Sequence, residues 1–248
     1  MLARTVLVAV LALMAGAGMA APSSGAVRTL RGAATTYDTF DRPDATALGD
    51  ADSGQPWEYF NGNWRISSGA AVFEPGGSVA EATVDTGMSD AFKAEADITL
   101  SPTLDRANAG ITILHRNHGN HVFCKVEVTA GHPNGFMSIG TYVGGTGTSL
   151  LGPASFEDDV GLRNGETYHV ACRREGDRVV WTIDGGNLVE RARVHYLLTA
   201  EDIAAFGDAT SQGLRSRYAF DEDDGGSRWE DFEVRPLADP ARRSHRRR

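Results

Sequence analysis

The stretch of sequence that decides the fold is residues 167–184, TYHVACRREGDRVVWTID. Apolar and polar residues alternate on both sides of Gly176-Asp177, and such a pair between two alternating runs is typical of a β-hairpin. The same period of two indicates further strands. They are expected at 64–73, 92–100, 110–116, 121–129, 136–143, 214–220 and 229–235.

One segment near 199–206 predicts a short helix. Thr199 can cap its start, Glu201 and Asp202 fall in the positive first turn, and Gly207 can end it. A single helix among about a dozen strands predicts an all-β protein, a two-sheet antiparallel jelly-roll sandwich.

The charge distribution excludes one class of partner. The 248 residues contain 24 Lys and Arg against 33 Asp and Glu, a net charge of −9. Without residues 1–32 and 241–248, which hold eight Arg and no acid, 16 basic residues face 33 acidic ones, a net charge of −17. A body this acidic repels phosphate backbones, so we expect no nucleic-acid partner.

The first 26 residues predict a signal peptide. Arg4 precedes the apolar run 5–15, and small residues follow with several possible cleavage sites. The run is shorter than the ~20 apolar residues that a membrane span needs. We therefore expect a secreted, extracellular protein of bacterial origin with no transmembrane segment, and the preference for Arg over Lys indicates a GC-rich genome.

The rest of the chain divides into three parts. Small polar residues at 27–36 predict a flexible lead-in, and 37–236 is one β-sandwich domain without internal repeats. The tail 237–248 ends ARRSHRRR and is expected to be disordered. It either binds an anionic envelope polymer electrostatically or is a solvated terminus.

Several motifs follow one another in an order that resembles a known superfamily. They are DTFDR at 38–42, Leu48-Gly49, Trp57, GNWRISSG at 62–69, Ala109-Gly110-Ile111 before Arg116, Tyr168-x-Val170, VWTIDG at 180–185 and Trp229-x-Asp231-Phe232-x-Val234. Their order resembles the concanavalin A-like lectin/glucanase superfamily, in particular its laminin-G-like and bacterial sugar-hydrolase-associated modules. The resemblance covers 37–236 and implies a two-sheet jelly roll whose concave face commonly binds glycans.

Alternation assigns residues to faces and predicts a sugar-binding surface. Val122, Cys124, Val126 and Val128 share the core face of one strand. If neighbouring strands pair, the opposite face holds Arg116, Phe123, Lys125, Glu127, Ser138 and Tyr142. Aromatic rings suit the apolar faces of sugars and charged groups suit their hydroxyls. The alternative is an ordinary solvated face with Lys–Glu pairing.

An aromatic cluster and a group of three histidines are each expected to have no direct role in ligand binding. Trp57, Tyr59, Phe60 and Trp64, like Trp181 and Trp229, are expected to pack in the core rather than stack on sugars. His115, His118 and His121 have the residue type that zinc prefers. Their spacing spans a strand end, a turn and a strand start, and no carboxylate accompanies them, so solvated turn histidines are the favoured interpretation.

Three carboxylates near the termini suggest a possible structural calcium ion. In the resembled folds the first and last strands commonly lie side by side, with calcium nearby. Asp38 or Asp41 would then meet Asp231 around an ion that prefers several oxygen ligands. The alternative is that all three are surface acids, and no other cofactor is expected.

The catalytic motifs of the superfamily are incomplete. Laminarinase-type glycosidases carry Glu-x-Asp-x-x-Glu, but Glu95-Ala-Asp97 is followed by Leu100 where the second Glu belongs. His169, Arg217 and Tyr218 are only fragments of a lyase site. Whether the chain is an enzyme stays open, with absence of catalysis favoured.

Cys124 and Cys172 both fall on predicted core faces. In an exported protein two cysteines suggest one disulfide, and two buried free thiols are the alternative.

These observations favour a secreted, non-catalytic carbohydrate-binding protein that recognises a polysaccharide or cell-surface glycan. A glycan-acting hydrolase or lyase and a structural or adhesive envelope module are the alternatives. Convergent carboxylates or a His–Tyr pair would favour an enzyme, and aromatics with amides would favour a binding protein.

Overall fold

The computed structural model describes residues 34–74, 79–102, 106–149, 155–217 and 226–237. The strands in chain order are β1 (Thr36–Asp38), β2 (Glu58–Phe60), β3 (Asn63–Ser67), β4 (Ala70–Glu74), β5 (Val79–Asp85), β6 (Phe92–Thr99), β7 (Arg106–Asn117), β8 (Asn120–Thr129), β9 (His132–Val143), β10 (Thr146–Ser149), β11 (Phe156–Glu157), β12 (Thr167–Glu175), β13 (Arg178–Gly185), β14 (Ala192–Leu197), β15 (Ser211–Arg217) and β16 (Arg228–Pro236). One helix, α1 (Ala200–Phe206), lies between β14 and β15.

Among the described residues no helix has the length and apolarity to cross a membrane. The predicted signal peptide, most of the lead-in and the tail beyond residue 237 lie outside the described residues.

The strands form two eight-stranded sheets, and the fold class predicted from the sequence is confirmed. Sheet I has the order β14-β13-β12-β6-β16-β4-β3, with β1 beside β16. Sheet II has the order β10-β9-β8-β7-β15-β5-β2, with β11 beside β9. Every pairing is antiparallel. Several neighbours, such as β6 and β16 or β7 and β15, are distant in sequence, so each face combines residues that no local motif contains.

Two hairpins show how turn residues define the strands. β12 and β13 pair around Gly176-Asp177, as predicted, with Glu175 opposite Arg178. The single strand expected at 64–73 is wrong, because β3 and β4 fold back on each other there. Ser68 and Gly69 both have positive φ, 52° and 74°, which is the backbone of a two-residue hairpin turn.

The helix begins as the sequence predicts. The Thr199 hydroxyl accepts a hydrogen bond from the Asp202 amide, and the Asp202 carboxylate accepts one from the Thr199 amide. This reciprocal pair satisfies two backbone donors at the helix start.

The core lies between the sheets, and three tryptophans of sheet I cross it. Trp64, Trp181 and Trp229 are fully buried, as expected. The Trp181 indole donates to the Lys125 carbonyl at 3.2 Å, and that of Trp229 donates to the Gly110 carbonyl at 3.1 Å. Buried indole N–H groups need such acceptors, so these bonds position β8 and β7 of sheet II against sheet I.

The remaining aromatics of the first cluster differ from one another. Trp57 is buried against Phe40 and Phe232, as predicted. Tyr59 is 38% exposed, so its assignment to the core is wrong. Its hydroxyl lies at the surface and accepts a hydrogen bond from the Leu48 amide at 2.8 Å.

The two cysteines are joined. A disulfide links Cys124 on β8 to Cys172 on β12, with their Cα atoms 6.5 Å apart. It therefore crosses the core from sheet II to sheet I.

Candidate functional site

The outward side of sheet II carries charged and polar residues that are nevertheless buried. We call this side, formed by β5, β7, β8, β9 and β15, the polar face. Its buried polar side chains, each less than a tenth exposed, include Glu81, Asn108, His115, His121, Lys125, Glu127, Ser138 and Arg215. Burying such groups is costly unless they are paired, so their arrangement indicates a specific purpose.

A continuous network joins four of these side chains. Glu127 accepts hydrogen bonds from the Lys125 ammonium at 2.6 Å and from the Asn108 amide at 2.7 Å. The side-chain oxygen of Asn108, Oδ1, in turn accepts a hydrogen bond from the Arg215 guanidinium at 3.1 Å. Three strands, β7, β8 and β15, contribute, and the bonds orient each side chain before any ligand arrives.

The ring of Phe123 packs against one member of this network, Arg215. Its ring lies over Gly140 of the neighbouring strand, where a Cβ would come within 2.1 Å of the ring. The Arg215 guanidinium stacks on the ring with its carbon 4.2 Å from the centroid. A glycine at 140 is therefore required by the close approach of the ring, and Phe123 is covered rather than open to a sugar.

The electrostatics of the network follow from burial. Burial lowers the pKa of Lys125, and Glu127 acts in the opposite direction. Burial also lowers the pKa of Arg215 from its very high ordinary value, against the raising influence of Glu81. Both groups lie where their charge is poorly solvated, so hydrogen-bonding oxygens of a ligand would be attracted to them.

The histidines lie at one end of the polar face and do not match the sequence interpretation. His115 and His121 are buried, so the assignment of both as solvated turn residues is wrong. Their partner is Glu81 on β5, a fully buried carboxylate far away in sequence. His118, in the turn between β7 and β8, is half-buried and also contacts Glu81.

The protonation of this cluster is set by mutual contact. Burial alone would raise the pKa of Glu81, but its contacts with His115 and His121 outweigh that cost and keep the pKa well below its usual range. Burial lowers the pKa of His121, although Glu81 acts in the opposite direction.

A β-bulge explains why one predicted site residue lies elsewhere. Leu114 has a φ of 52°, and the pairing of β7 with β8 shifts register after Ile113. Both Ile113 and Leu114 therefore pack in the core, and the alternation resumes with His115 facing outward. Arg116 forms an exposed ion pair with Asp208 instead, so the expectation that it shares the polar face is wrong.

The other five predicted sugar-site residues come together as the alternation indicates. Lys125 pairs with Ser138 across β8 and β9, and the rings of Phe123 and Tyr142 lie 5.7 Å apart. Tyr142 is half-buried and keeps part of its ring accessible. The buried Ser138 hydroxyl has no hydrogen-bond partner among the described residues. The expected solvated Lys–Glu face is not what the structure shows, because Lys125 and Glu127 are buried.

The sequence reasoning missed Glu81, Asn108 and Arg215. Asn108 precedes the strand predicted at 110–116, and Arg215 lies within the strand predicted at 214–220 but was not assigned to this face. Glu81 lies on β5, which was not predicted, although Glu81-x-Thr83-x-Asp85 against Ala80, Ala82 and Val84 is a period of two. That alternation was the available signal.

The carboxylates proposed for calcium are placed in different surroundings. β1 pairs with β16, and Asp38 lies opposite Phe232, next to Asp231. Asp38 is fully buried and accepts hydrogen bonds from both Arg42 terminal nitrogens, at 2.6 and 2.9 Å, and from Trp57 at 2.7 Å. Asp41 and Asp231 are exposed. Arg42 thus already supplies a cation to Asp38, and calcium at these residues stays a prediction.

The residues of the incomplete glycosidase motif lie on the opposite side of the sandwich. Glu95 and Asp97 point outward from β6 of sheet I, where His169 approaches them at 3.2 and 2.8 Å. Glu95 also contacts Lys93 and Arg235. This cluster is separate from the polar face.

The fold defines a class: a two-sheet antiparallel β-sandwich, the architecture that the motif order implied. No protein-family model and no curated protein matches the chain by sequence. The carbohydrate-binding module CBM66 from Bacillus subtilis is similar in structure, with a TM-score of 0.51 and 16% identity over 71% of this chain and 94% of that one.

Two further solved structures have the same architecture. The exoplasmic/lumenal domain of VIP36, in its Ca2+/Man2-bound form, has a TM-score of 0.53 and 11% identity over 84% of this chain and 91% of that one. The CBM2 module of the evolved Dit of Lactobacillus casei BL23 phage J-1 has a TM-score of 0.52 and 12% identity, covering 83% and 97%. At these identities the similarity establishes the fold.

Proposed function

We propose that this chain binds a glycan on its polar face and performs no reaction on it. The observation that carries the proposal is the network of Lys125, Glu127, Asn108 and Arg215, which is buried and fully oriented on an outward sheet surface. Two of the structurally similar proteins are carbohydrate-binding modules, which supports the same conclusion.

The groups on this face match the chemistry of a sugar. The accessible part of the Tyr142 ring offers a surface for the apolar side of a pyranose. The amide, ammonium and carboxylate of the network can exchange hydrogen bonds with hydroxyl groups, and the Ser138 hydroxyl is a further donor and acceptor. Because the network is oriented in advance, binding requires little additional ordering of side chains.

A panel of neutral and anionic polysaccharides tests the proposal. Binding would be measured by calorimetry and affinity electrophoresis, with wild type, Tyr142→Ala and a control, Arg173→Ala, from the outer side of sheet I. We expect binding to at least one polysaccharide, weakened about tenfold or more by Tyr142→Ala, as for an aromatic anchor. Unchanged affinity in Tyr142→Ala, or no binding across the panel, would contradict the proposal.

A second candidate function has its own observation. The rings of His121 and Tyr142 stack with their centroids 4.9 Å apart, and Glu81 lies beside His121. A histidine and a tyrosine so placed can act as general base and acid, which would make the chain a glycan lyase or hydrolase. Release of shortened or unsaturated sugars from the same panel, lost in Tyr142→Phe, would favour this candidate over binding alone.

We also propose that the protein is secreted through the signal peptide at 1–26 and that its arginine-rich tail binds anionic envelope polymers. The apolar run after Arg4 and the five arginines of 241–248 support these two steps. The mass of the exported protein would give the cleavage site. Release from envelopes by salt that does not depend on the tail would rule out the second step.

A further inference from the structure

Glycan binding by the network of Lys125, Glu127, Asn108 and Arg215 does not require the histidine cluster of the polar face. Glu81 from β5, His115 from β7 and His121 from β8 are all buried, and His118 closes the group from the turn. One donor atom of each of the three buried residues lies within 4.8 Å of the others.

We propose that Glu81, His115 and His121, with His118 as fourth ligand, bind one divalent transition-metal ion of the zinc class. Imidazole nitrogens with a carboxylate oxygen form the donor set typical of zinc in proteins. Calcium and magnesium prefer all-oxygen ligands and fit this set poorly. The proposal is independent of glycan binding.

The distances between donor atoms have the right size. Glu81 Oε1 lies 2.8 Å from His121 Nε2, and Glu81 Oε2 lies 3.0 Å from His118 Nδ1 and 3.4 Å from His115 Nε2. Ligand atoms about 2.0–2.1 Å from a tetrahedral zinc ion lie roughly 3.3 Å from one another. A small adjustment of side chains would bring the donor atoms of Glu81, His115 and His121 around one ion, and a larger turn of the His118 side chain would add the fourth ligand.

The orientation of His121 is the second, independent observation. Its Nδ1 lies 3.3 Å from the Asn117 carbonyl oxygen, an acceptor, and this contact is a hydrogen bond when Nδ1 carries the proton. Nε2 then presents its lone pair to Glu81 Oε1, which also has only lone pairs. Both atoms are buried, and neither has a well-aligned hydrogen bond with the described residues. A backbone carbonyl that fixes the outer nitrogen of a histidine is the usual second contact of a metal ligand.

Aromatic rings pack against the cluster, and the cysteines of the chain offer it no thiolate. The His115 ring lies between Phe60 and His121, with centroids 4.5 and 5.0 Å away. The sulfur atoms of Cys124 and Cys172 are bonded to each other, so no thiolate competes. Arg215 interacts electrostatically with Glu81, but its guanidinium is bonded to Asn108.

The test is a zinc titration of the full chain, produced without a polyhistidine tag and freed of metal with a chelator. We expect one zinc ion per chain by mass spectrometry of metals and calorimetry, and a tetrahedral absorption spectrum when cobalt replaces zinc. His121→Ala should weaken binding about a hundredfold and the half-buried His118→Ala about tenfold.

The control variant is His169→Ala, which removes a histidine that also contacts two carboxylates but lies on sheet I. It should bind zinc as the wild type does. If His121→Ala does not fold, His118→Ala and the cobalt spectrum still decide the matter. Failure of the wild type to bind zinc, or equal loss of binding in His169→Ala, would overturn the proposal and leave the cluster a hydrogen-bonded acid–base pair.

Discussion

Each outer side of the sandwich carries one of the chain's two lysines, and each lysine is followed two residues later by a glutamate. On sheet I, Lys93 and Glu95 are surrounded by the exposed side chains of His169 and Arg235. On sheet II, Lys125 and Glu127 join Asn108 in a buried network. The two glutamates are about equally buried, but Lys93 is partly open to water whereas Lys125 is buried, so the same local sequence gives a partly solvated ion pair on one side and a candidate binding site on the other. What differs is the neighbouring strands, and these are determined by topology.

The disulfide lies between the two pairs and has the largest expected effect. Cys124 precedes Lys125, and Cys172 pairs with Ala94, between Lys93 and Glu95. With a sequence separation of 48 residues, loss of the bond in the double variant Cys124→Ala/Cys172→Ala should lower the free energy of unfolding by about 4 kcal/mol. Urea unfolding with and without reductant measures this. Two reactive thiols in the unreduced, denatured chain would contradict it.

Removing the two glutamates compares the faces directly. Glu127→Ala leaves the buried Lys125 ammonium unpaired, so we expect destabilisation of about 3 kcal/mol. Glu95→Ala leaves partners that water can solvate, so its cost should stay below about 1 kcal/mol. Urea denaturation of both variants gives the two values. Equal values would mean that removing Glu127 from the network on sheet II costs no more unfolding free energy than removing Glu95 from sheet I.

The sheet I cluster should titrate, with a small effect. Hydrogen bonding to Glu95, against the lowering effect of burial, and further contact with Asp97 raise the pKa of His169. Its stabilising contribution is complete below the unfolded pKa of about 6.5 and is lost as the pH rises through the folded value. Burial would raise the pKa of Glu95, but His169 and Lys93 outweigh it and lower it to about 2. That contribution is present above about pH 4.5 and is lost as the pH falls through about 2.

Unfolding free energies of wild type and His169→Gln at about pH 5.5 and pH 8 test this. From about pH 5.5 to pH 8 the unfolding free energy of the wild type should fall by a few tenths of a kcal/mol more than that of the variant. The difference is small because solvent screens the partly exposed imidazole. The same pH dependence in both proteins would show that the contacts of His169 do not stabilise the fold.

Much of the fold could be predicted because the signals are local. The hairpin at Gly176-Asp177 and the helix after Thr199 each depend on a few adjacent residues, and both are confirmed. The core and outward faces of β8 follow from strict alternation, which also predicts Lys125, Glu127 and Phe123 on one face.

The parts of the site that were missed depend on contacts distant in sequence or on backbone irregularity. Glu81 belongs to the strand VAEATVD, whose alternation is a local signal, but its alanine, glutamate and aspartate have low strand propensity and the strand was not predicted. The bulge at Leu114 reverses the alternation of β7, and no turn residue marks it in the sequence. It moved His115 onto the polar face and Arg116 away from it.

Binding of a polysaccharide from the panel to Lys125→Met and Lys93→Met tests the central claim, that the polar face of sheet II is the glycan site. Both substitutions remove one ammonium and keep a side chain of similar size, and circular dichroism confirms folding. Lys125→Met should weaken binding about tenfold or more, while Lys93→Met should leave it unchanged. Full affinity in Lys125→Met with a loss in Lys93→Met would contradict the account and move the site to sheet I.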